Sequence, residues 1–136
     1  MRWDSLIDSQ RLLWYTDYSV IRTFSESFPE GHMSISFRHS AGFGKRIEYK
    51  LIGDMLMEGL DCYTPLVDDH GVDCVIKKKD GTFIEIQIKA SSKDVTEGDA
   101  ALFSAIEHEY TPNYFIVFFS ERLNMMWILS SEEFLT

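Results

Sequence analysis

The sequence predicts an α+β fold, within the broad α/β class, in which helices flank a mixed central sheet. The apolar residues change from a helical period to a strand period and back, in the order α-β-β-β-α-β-β. The dipeptide Asp80-Gly81, a strong hairpin signal, joins two neighbouring strands. Antiparallel strands followed by a helical crossover produce a sheet of mixed direction that packs against helices.

The first half of the pattern predicts one helix and three strands. The helix is expected from Ala41 to Gly59, with Ser40 as its N-cap and Gly59 as its stop. The three strands are expected at residues 60–67, 72–78 and 83–90. Pro65 lies in the first of them, which favours a sheet edge or an early end for that strand.

The second half predicts a helix, two strands and a short final helix. The helix is expected at residues 99–110. Residues 114–119 are nearly all apolar, as in a buried central strand, and a further strand is expected at residues 125–129. The run Ser130-Ser131-Glu132-Glu133 is expected to start the final helix, with a serine as its cap and acidic residues in its first turn.

Length and composition predict one compact domain with an N-terminal addition. The chain has 136 residues, of which 45% are hydrophobic, as in ordinary globular domains. We expect residues 40–136 to form the domain and residues 1–39 to be an extension with a short amphipathic helix between Leu6 and Trp14. No apolar run is long enough for a membrane span and no secretory signal is visible, so a cytoplasmic location is expected.

The charge is unevenly distributed. A net charge of −9 argues against a nucleic-acid binder with a uniformly basic surface. Residues 44–93 hold eight basic and nine acidic residues, whereas residues 94–136 hold one basic and eight acidic ones. The middle of the chain is therefore the part expected to offer a local basic surface, although the run Lys77-Lys78-Lys79 is more typical of a solvated strand end. The acidic C-terminal third favours an alternative, contact with a basic protein partner.

Two carboxylates occupy positions that call for an explanation. Glu48 lies in the apolar face of the first helix, where a carboxylate is costly unless it has a partner or a metal. The alternative is a position at a ragged helix start, paired with Lys45 or Lys50. Asp73 opens the second predicted strand after a glycine turn, and its alternative role is to bond the backbone of its own turn.

The third predicted strand alternates strictly between apolar and polar residues. Its isoleucines face one side and must meet a helix, while Glu85, Gln87 and Lys89 face the other side. The alternative is a solvent-exposed sheet face. Together with Glu48 and Asp73, this face offers converging oxygen ligands for a divalent metal. A lysine beside such a metal orients or deprotonates a water, or offsets charge in the transition state.

The stretch from Gly44 to Ser92 resembles the PD-(D/E)XK nuclease superfamily, whose restriction-endonuclease-like core has the order αβββαβ. Glu48 matches the helix glutamate of that family, Asp73 matches its aspartate and Lys89 matches its lysine. The similarity covers roughly residues 42–130. The branch it resembles contains homing endonucleases and archaeal junction resolvases that carry an Ile-Gln-Val-Lys-like strand.

Gln87 departs from the pattern of the family, since most members carry Asp or Glu there. A glutamine ligates a metal through its carbonyl oxygen but brings no charge. Some members of the resembled branch use this glutamine. Glu85 lies one strand step of two residues, about 6.5–7 Å, beyond Gln87 on the side away from Lys89, and therefore ranks below Gln87 as a ligand.

The resemblance implies a metal-dependent endonuclease that hydrolyses phosphodiester bonds of duplex or branched DNA with Mg²⁺ or Mn²⁺. Asp73, Glu48 and Gln87 would be the metal ligands, and Lys89 would act on the attacking water. A homodimer or higher homo-oligomer, which places two sites on two DNA strands, is expected. The alternative is a catalytically weak or inactive module of this fold that acts in binding or assembly.

Overall fold

The computed structural model of the chain describes residues 13–15, 41–94 and 106–136. Its helices and strands follow in chain order. The described helices are α1 (Ala41–Met57) and α2 (Ser131–Leu135), and the described strands are β1 (Leu13–Tyr15), β2 (Asp61–Tyr63), β3 (Cys74–Lys77), β4 (Phe83–Ser91), β5 (Tyr114–Ser120) and β6 (Met125–Ser130). No helix in these ranges is both long and apolar enough to cross a membrane.

The strands form one mixed sheet in the order β1-β6-β5-β4-β3-β2. The central pair β4 and β5 is parallel, and all other described neighbours are antiparallel. Helix α1 packs on one face of this sheet, and α2 contacts β5 and β6. The predicted fold class, a mixed sheet flanked by helices, is therefore confirmed.

The two faces of the sheet carry separate apolar clusters. The first cluster joins the apolar face of α1 to the isoleucines of β4, and includes Phe43, Ile47, Leu51, Ile52, Met55, Ile84, Ile86 and Ile88. Leu56, another apolar residue of α1, does not join this cluster and is 53% exposed. On the second face, alternate residues of β5 pack with Trp127, Leu129 and Phe134.

The strongest local signals predicted their elements well. Helix α1 begins at Ala41, and Gly59 beyond its end has φ +85°, a left-handed conformation that suits a glycine stop. The strand predicted at residues 60–67 is short and lies at the sheet edge, as Pro65 indicated. Ser130 caps α2 through a reciprocal pair of hydrogen bonds with Glu133.

Two helical predictions were wrong over the part of each that the structure describes, where long-range contacts decide the backbone. Of the helix predicted at residues 99–110, residues 99–105 lie outside the described ones, and residues 106–110 are not helical. The Ser131 hydroxyl accepts a bond from the N–H of Thr111 at 2.9 Å and lies 2.7 Å from Nε2 of His108. These bonds tie the segment to α2 instead of continuing a helix.

The predicted N-terminal helix is the second error. Leu13 and Trp14, the last two residues of that helix, lie in β1, which pairs with β6 in antiparallel register. Pairing with a sheet edge overrides the local helical period. Residues 1–12 and 16–39, the rest of the expected extension, lie outside the described residues.

Candidate active site

The candidate site lies where β3 and β4 separate. The last residue pair of their ladder is Cys74 with Ile86, and the N–H of Asp73 still donates to the Ile86 carbonyl at 2.9 Å. Beyond this point the N–H of Ile88 donates to Oδ2 of Asp73 at 2.7 Å. The carboxylate of Asp73 therefore spans the opening between the strands and does not bond the backbone of its own turn. Asp68 bonds that turn instead, because its Oδ1 accepts a hydrogen bond from the N–H of Val72.

Glu48 reaches the same opening from helix α1. It lies well inside a helix that begins at Ala41, which excludes the ragged-start alternative, and only 6% of its surface is exposed. Its carboxyl group is within hydrogen-bonding reach of that of Asp73. The structure thus brings together two of the four predicted site residues.

The proximity of the two carboxyl groups changes their acid–base behaviour. Burial, the hydrogen bond with Glu48, and the charges of Glu48 and Asp68 raise the pKa of Asp73 to about 7, although the N–H of Ile88 opposes this shift. Near neutral pH the pair therefore needs a proton or a cation to offset its charge.

Lys45 supplies such a cation. Its Nζ donates to Oε1 of Glu48 at 2.8 Å and also contacts Oε2. The Lys45 side chain is 59% exposed, and its ammonium lies 5.9 Å from the ring centre of Tyr49. The hydrogen bond to Glu48 and the charges of Glu48 and Asp73 raise the pKa of Lys45 above its usual value. The sequence indicated Lys45 only as an alternative partner of Glu48.

Gln87 lies against the turn that precedes Asp73. A Cβ atom at Gly71 would come within 2.5 Å of Nε2 of Gln87, and Gly71 has φ +71°. Gly71 therefore has to be a glycine both for its backbone conformation and for this close approach. Among the described residues, Gln87 makes no side-chain hydrogen bond.

Lys89 is the next residue along this face of β4. It is half-buried, lies opposite Phe118 of β5, and forms no hydrogen bond or ion pair with Glu48 or Asp73. Glu85, on the other side of Gln87, lies opposite Tyr114 of β5. The structure thus keeps the predicted polar face of β4 together, and within the described residues it gives Lys89 no direct bond to the carboxylate pair.

Tyr114 is a residue of this region that the sequence did not single out. Its hydroxyl donates to the carbonyl of Gly71 at 3.1 Å, and its ring stacks on His108 with centroids 4.9 Å apart. Burial and the charges of Asp73, Glu85 and Asp68 raise the pKa of Tyr114 to about 12, so it stays a hydrogen-bond donor. The only available signal was a hydroxyl at the start of an otherwise apolar strand.

The donor set at the opening suits a divalent metal. Two carboxylates and an amide oxygen are ligands that Mg²⁺ and Mn²⁺ accept, and the raised pKa of Asp73 reflects negative charge that a cation would offset. Within the described ranges, no group of three or more His, Cys, Asp or Glu side chains is placed to hold a metal. The third ligand that the sequence predicts is the neutral Gln87, whose amide lies against Gly71 in the turn before Asp73.

A cavity of about 580 Å³ lies elsewhere, on the second face of the sheet. Its described lining is mostly apolar and contains Ser91, Phe118, Ser120, Arg122, Leu123, Trp127, Leu129 and Phe134. No carboxylate belongs to this lining, so the cavity is not the candidate metal site.

Comparison with known proteins supports the fold. No family model and no curated protein matches the chain. Among solved structures, a bacterial homing endonuclease, I-Ssp6803I, is similar, with a TM-score of 0.52 and 20% identity over 71% of this chain and 72% of that chain. At this identity the likeness establishes a shared, nuclease-like fold.

Proposed function

We propose that the chain is a metal-dependent endonuclease of the PD-(D/E)XK type, which hydrolyses phosphodiester bonds in DNA. The observation that carries this proposal is the contact between Glu48 of α1 and Asp73 at the opening of the sheet. A buried carboxylate beside a half-buried one is costly to hold without a cation. The fold shared with a homing endonuclease gives independent support.

The protein ligands divide into two carboxylates and one amide. Asp73 and Glu48 would hold Mg²⁺ or Mn²⁺, and Gln87 would add its carbonyl oxygen. Bound there, the cation would polarise the scissile phosphate and lower the pKa of the attacking water. The N–H of Ile88 holds Oδ2 of Asp73 at 2.7 Å, which fixes the orientation of this carboxylate before any ligand arrives.

Lys89 would act on the nucleophile and on the developing charge. It lies two residues beyond Gln87 on the same face of β4, and it forms no ion pair with another described residue. It would therefore hydrogen-bond the attacking water and offset negative charge on the phosphate in the transition state.

The positions of the basic residues indicate where DNA would approach. Lys77 ends β3, four residues beyond Asp73, which corresponds to about 13 Å along a strand. The lysines of the neighbouring hairpin turn are thus remote from the opening. Lys45 and Lys89 lie beside it, so they are the better candidates for phosphate contact. A homodimer would place two such sites on the two strands of a duplex.

Nicking of plasmid and branched DNA in Mg²⁺ or Mn²⁺ tests this function. We expect wild type to cleave at least one of these substrates and Lys89→Ala to be slower by roughly 100-fold or more, because it loses a transition-state contact. Lys79→Ala, in the hairpin turn, is the matched control and should keep wild-type activity. If wild type and Lys89→Ala are equally inert on every substrate, the proposed function is wrong.

A non-catalytic module of the same fold is the second candidate. It is favoured by the ion pair that already occupies Glu48 and by the absence of charge on Gln87. If the chain is such a module, calorimetry should show no heat of Mn²⁺ binding. Mn²⁺ should then stabilise neither wild type nor Asp73→Ala, so the variant loses no metal-dependent stability.

A further inference from the structure

Lys45 occupies the solvent side of the candidate metal site. Glu48 is 6% exposed, whereas the Lys45 side chain is 59% exposed and contacts both oxygens of the Glu48 carboxylate. A metal ion that binds this carboxylate directly needs at least one of the same oxygens. The two cations therefore compete for Glu48.

The ammonium of Lys45 is able to leave without unfolding the helix. Its stem is long and mostly exposed, and the ring of Tyr49 offers a second contact at 5.9 Å. Because Lys45 precedes Glu48 by one helical turn, a displaced ammonium would stay at the mouth of the site.

We propose that Lys45 is an exchangeable counter-cation, which a divalent metal displaces from Glu48 and which then binds a phosphate of the DNA substrate. This inference rests on the proposed nuclease function. In a chain with a net charge of −9, a lysine released at the site when the metal binds would couple metal binding to phosphate binding.

Calorimetric titration of the full chain with Mn²⁺ tests the first half. Lys45→Met keeps the aliphatic stem and removes the competing charge, so we expect it to bind Mn²⁺ about fivefold more tightly than wild type. Lys50→Met is the matched control, because Lys50 pairs with Asp54 at 2.6 Å on the same helix. It should bind Mn²⁺ like wild type.

The salt dependence of binding to a short DNA duplex, with Ca²⁺ as the metal, tests the second half. We expect Lys45→Met to bind DNA more weakly than wild type and to lose about one phosphate contact, which lowers the slope of log K against log[salt] by about 0.9. Lys45→Arg should keep the slope, and Lys50→Met should match wild type. A merely structural role would not combine tighter metal binding with weaker DNA binding.

The possible results separate the two proposals. If wild type binds Mn²⁺ and Lys45→Met binds it equally or less tightly, the exchange is wrong while the nuclease proposal stands. An unchanged salt slope in Lys45→Met likewise overturns the inference. If wild type binds no Mn²⁺, both proposals fail.

Discussion

At the scale of single residues, the neighbouring carboxyl groups of Asp73 and Glu48 form an arrangement that costs folding free energy. Two carboxyl groups that share a largely buried site cannot both ionise freely. Part of this arrangement was predictable, because the position of Glu48 in an apolar helix face indicated burial. Their mutual contact was not, since it depends on where β3 and β4 separate and on the bond between Asp73 and Ile88.

The raised pKa of Asp73 predicts the pH dependence of stability in the metal-free protein. The pKa of Asp73 lies near 7 in the folded chain and near 3.8 in the unfolded one, so the protonated carboxyl group stabilises the folded state. This stabilisation is fully present below about pH 4 and is lost as the pH rises through 7. Asp73→Asn removes this loss. We expect the melting temperature of Asp73→Asn minus that of wild type, both measured with a chelator present, to be roughly 5 °C larger at pH 8 than at pH 5.

Asp80→Asn is the control of opposite sign. The bonds from Thr82 lower the pKa of Asp80, so this exposed carboxylate contributes only while it is charged. The variant should be no more stable than wild type between pH 5 and pH 8, with no upward trend. A flat difference between Asp73→Asn and wild type across this range would contradict the raised pKa.

At the scale of elements, local signals decided some segments and distant contacts decided others. The hairpin at Asp80-Gly81 and the cap at Ser130 were predictable because their geometry depends on neighbouring residues. Residues 106–110 and Leu13–Tyr15 were not, because their partners are Ser131 and strand β6, which are remote in sequence.

The turn before Asp73 is another segment whose hydrogen-bond partner, Tyr114, is remote in sequence. The variant Tyr114→Phe tests what this hydrogen bond contributes. The variant keeps the ring and loses the bond to the Gly71 carbonyl, whose net contribution is about 1 kcal/mol. The melting temperature should fall by roughly 3–5 °C. Since Gly71 lies against the Gln87 amide, Mn²⁺ affinity should fall as well.

Tyr110→Phe serves as the control for this change, because Tyr110 is 63% exposed. It should leave both the melting temperature and the Mn²⁺ affinity unchanged. Unaltered Mn²⁺ binding in Tyr114→Phe would show that the bond to Gly71 supports the fold without positioning the site.

At the scale of the whole molecule, the sheet determines where the candidate site lies, and the positions of the lysines determine which surface near the site is basic. The parallel pair β4 and β5 forms the centre, and the opening between β3 and β4 lies beside it. A mixed sheet flanked by helices was predictable from the order of the periodic segments, whereas the opening between β3 and β4 was not. The position of Lys45 beside the opening was not predictable either, because it depends on how α1 packs on the sheet.

A crystal structure of the chain with Mn²⁺, using the anomalous signal of the metal, tests the central claim most directly. We expect one strong peak at the opening of the sheet, within roughly 2.0–2.6 Å of oxygens from Glu48, Asp73 and Gln87. The Lys45 ammonium should then have left Glu48. Fully soaked crystals with no peak there, and with Lys45 still bound to Glu48, would contradict the claim.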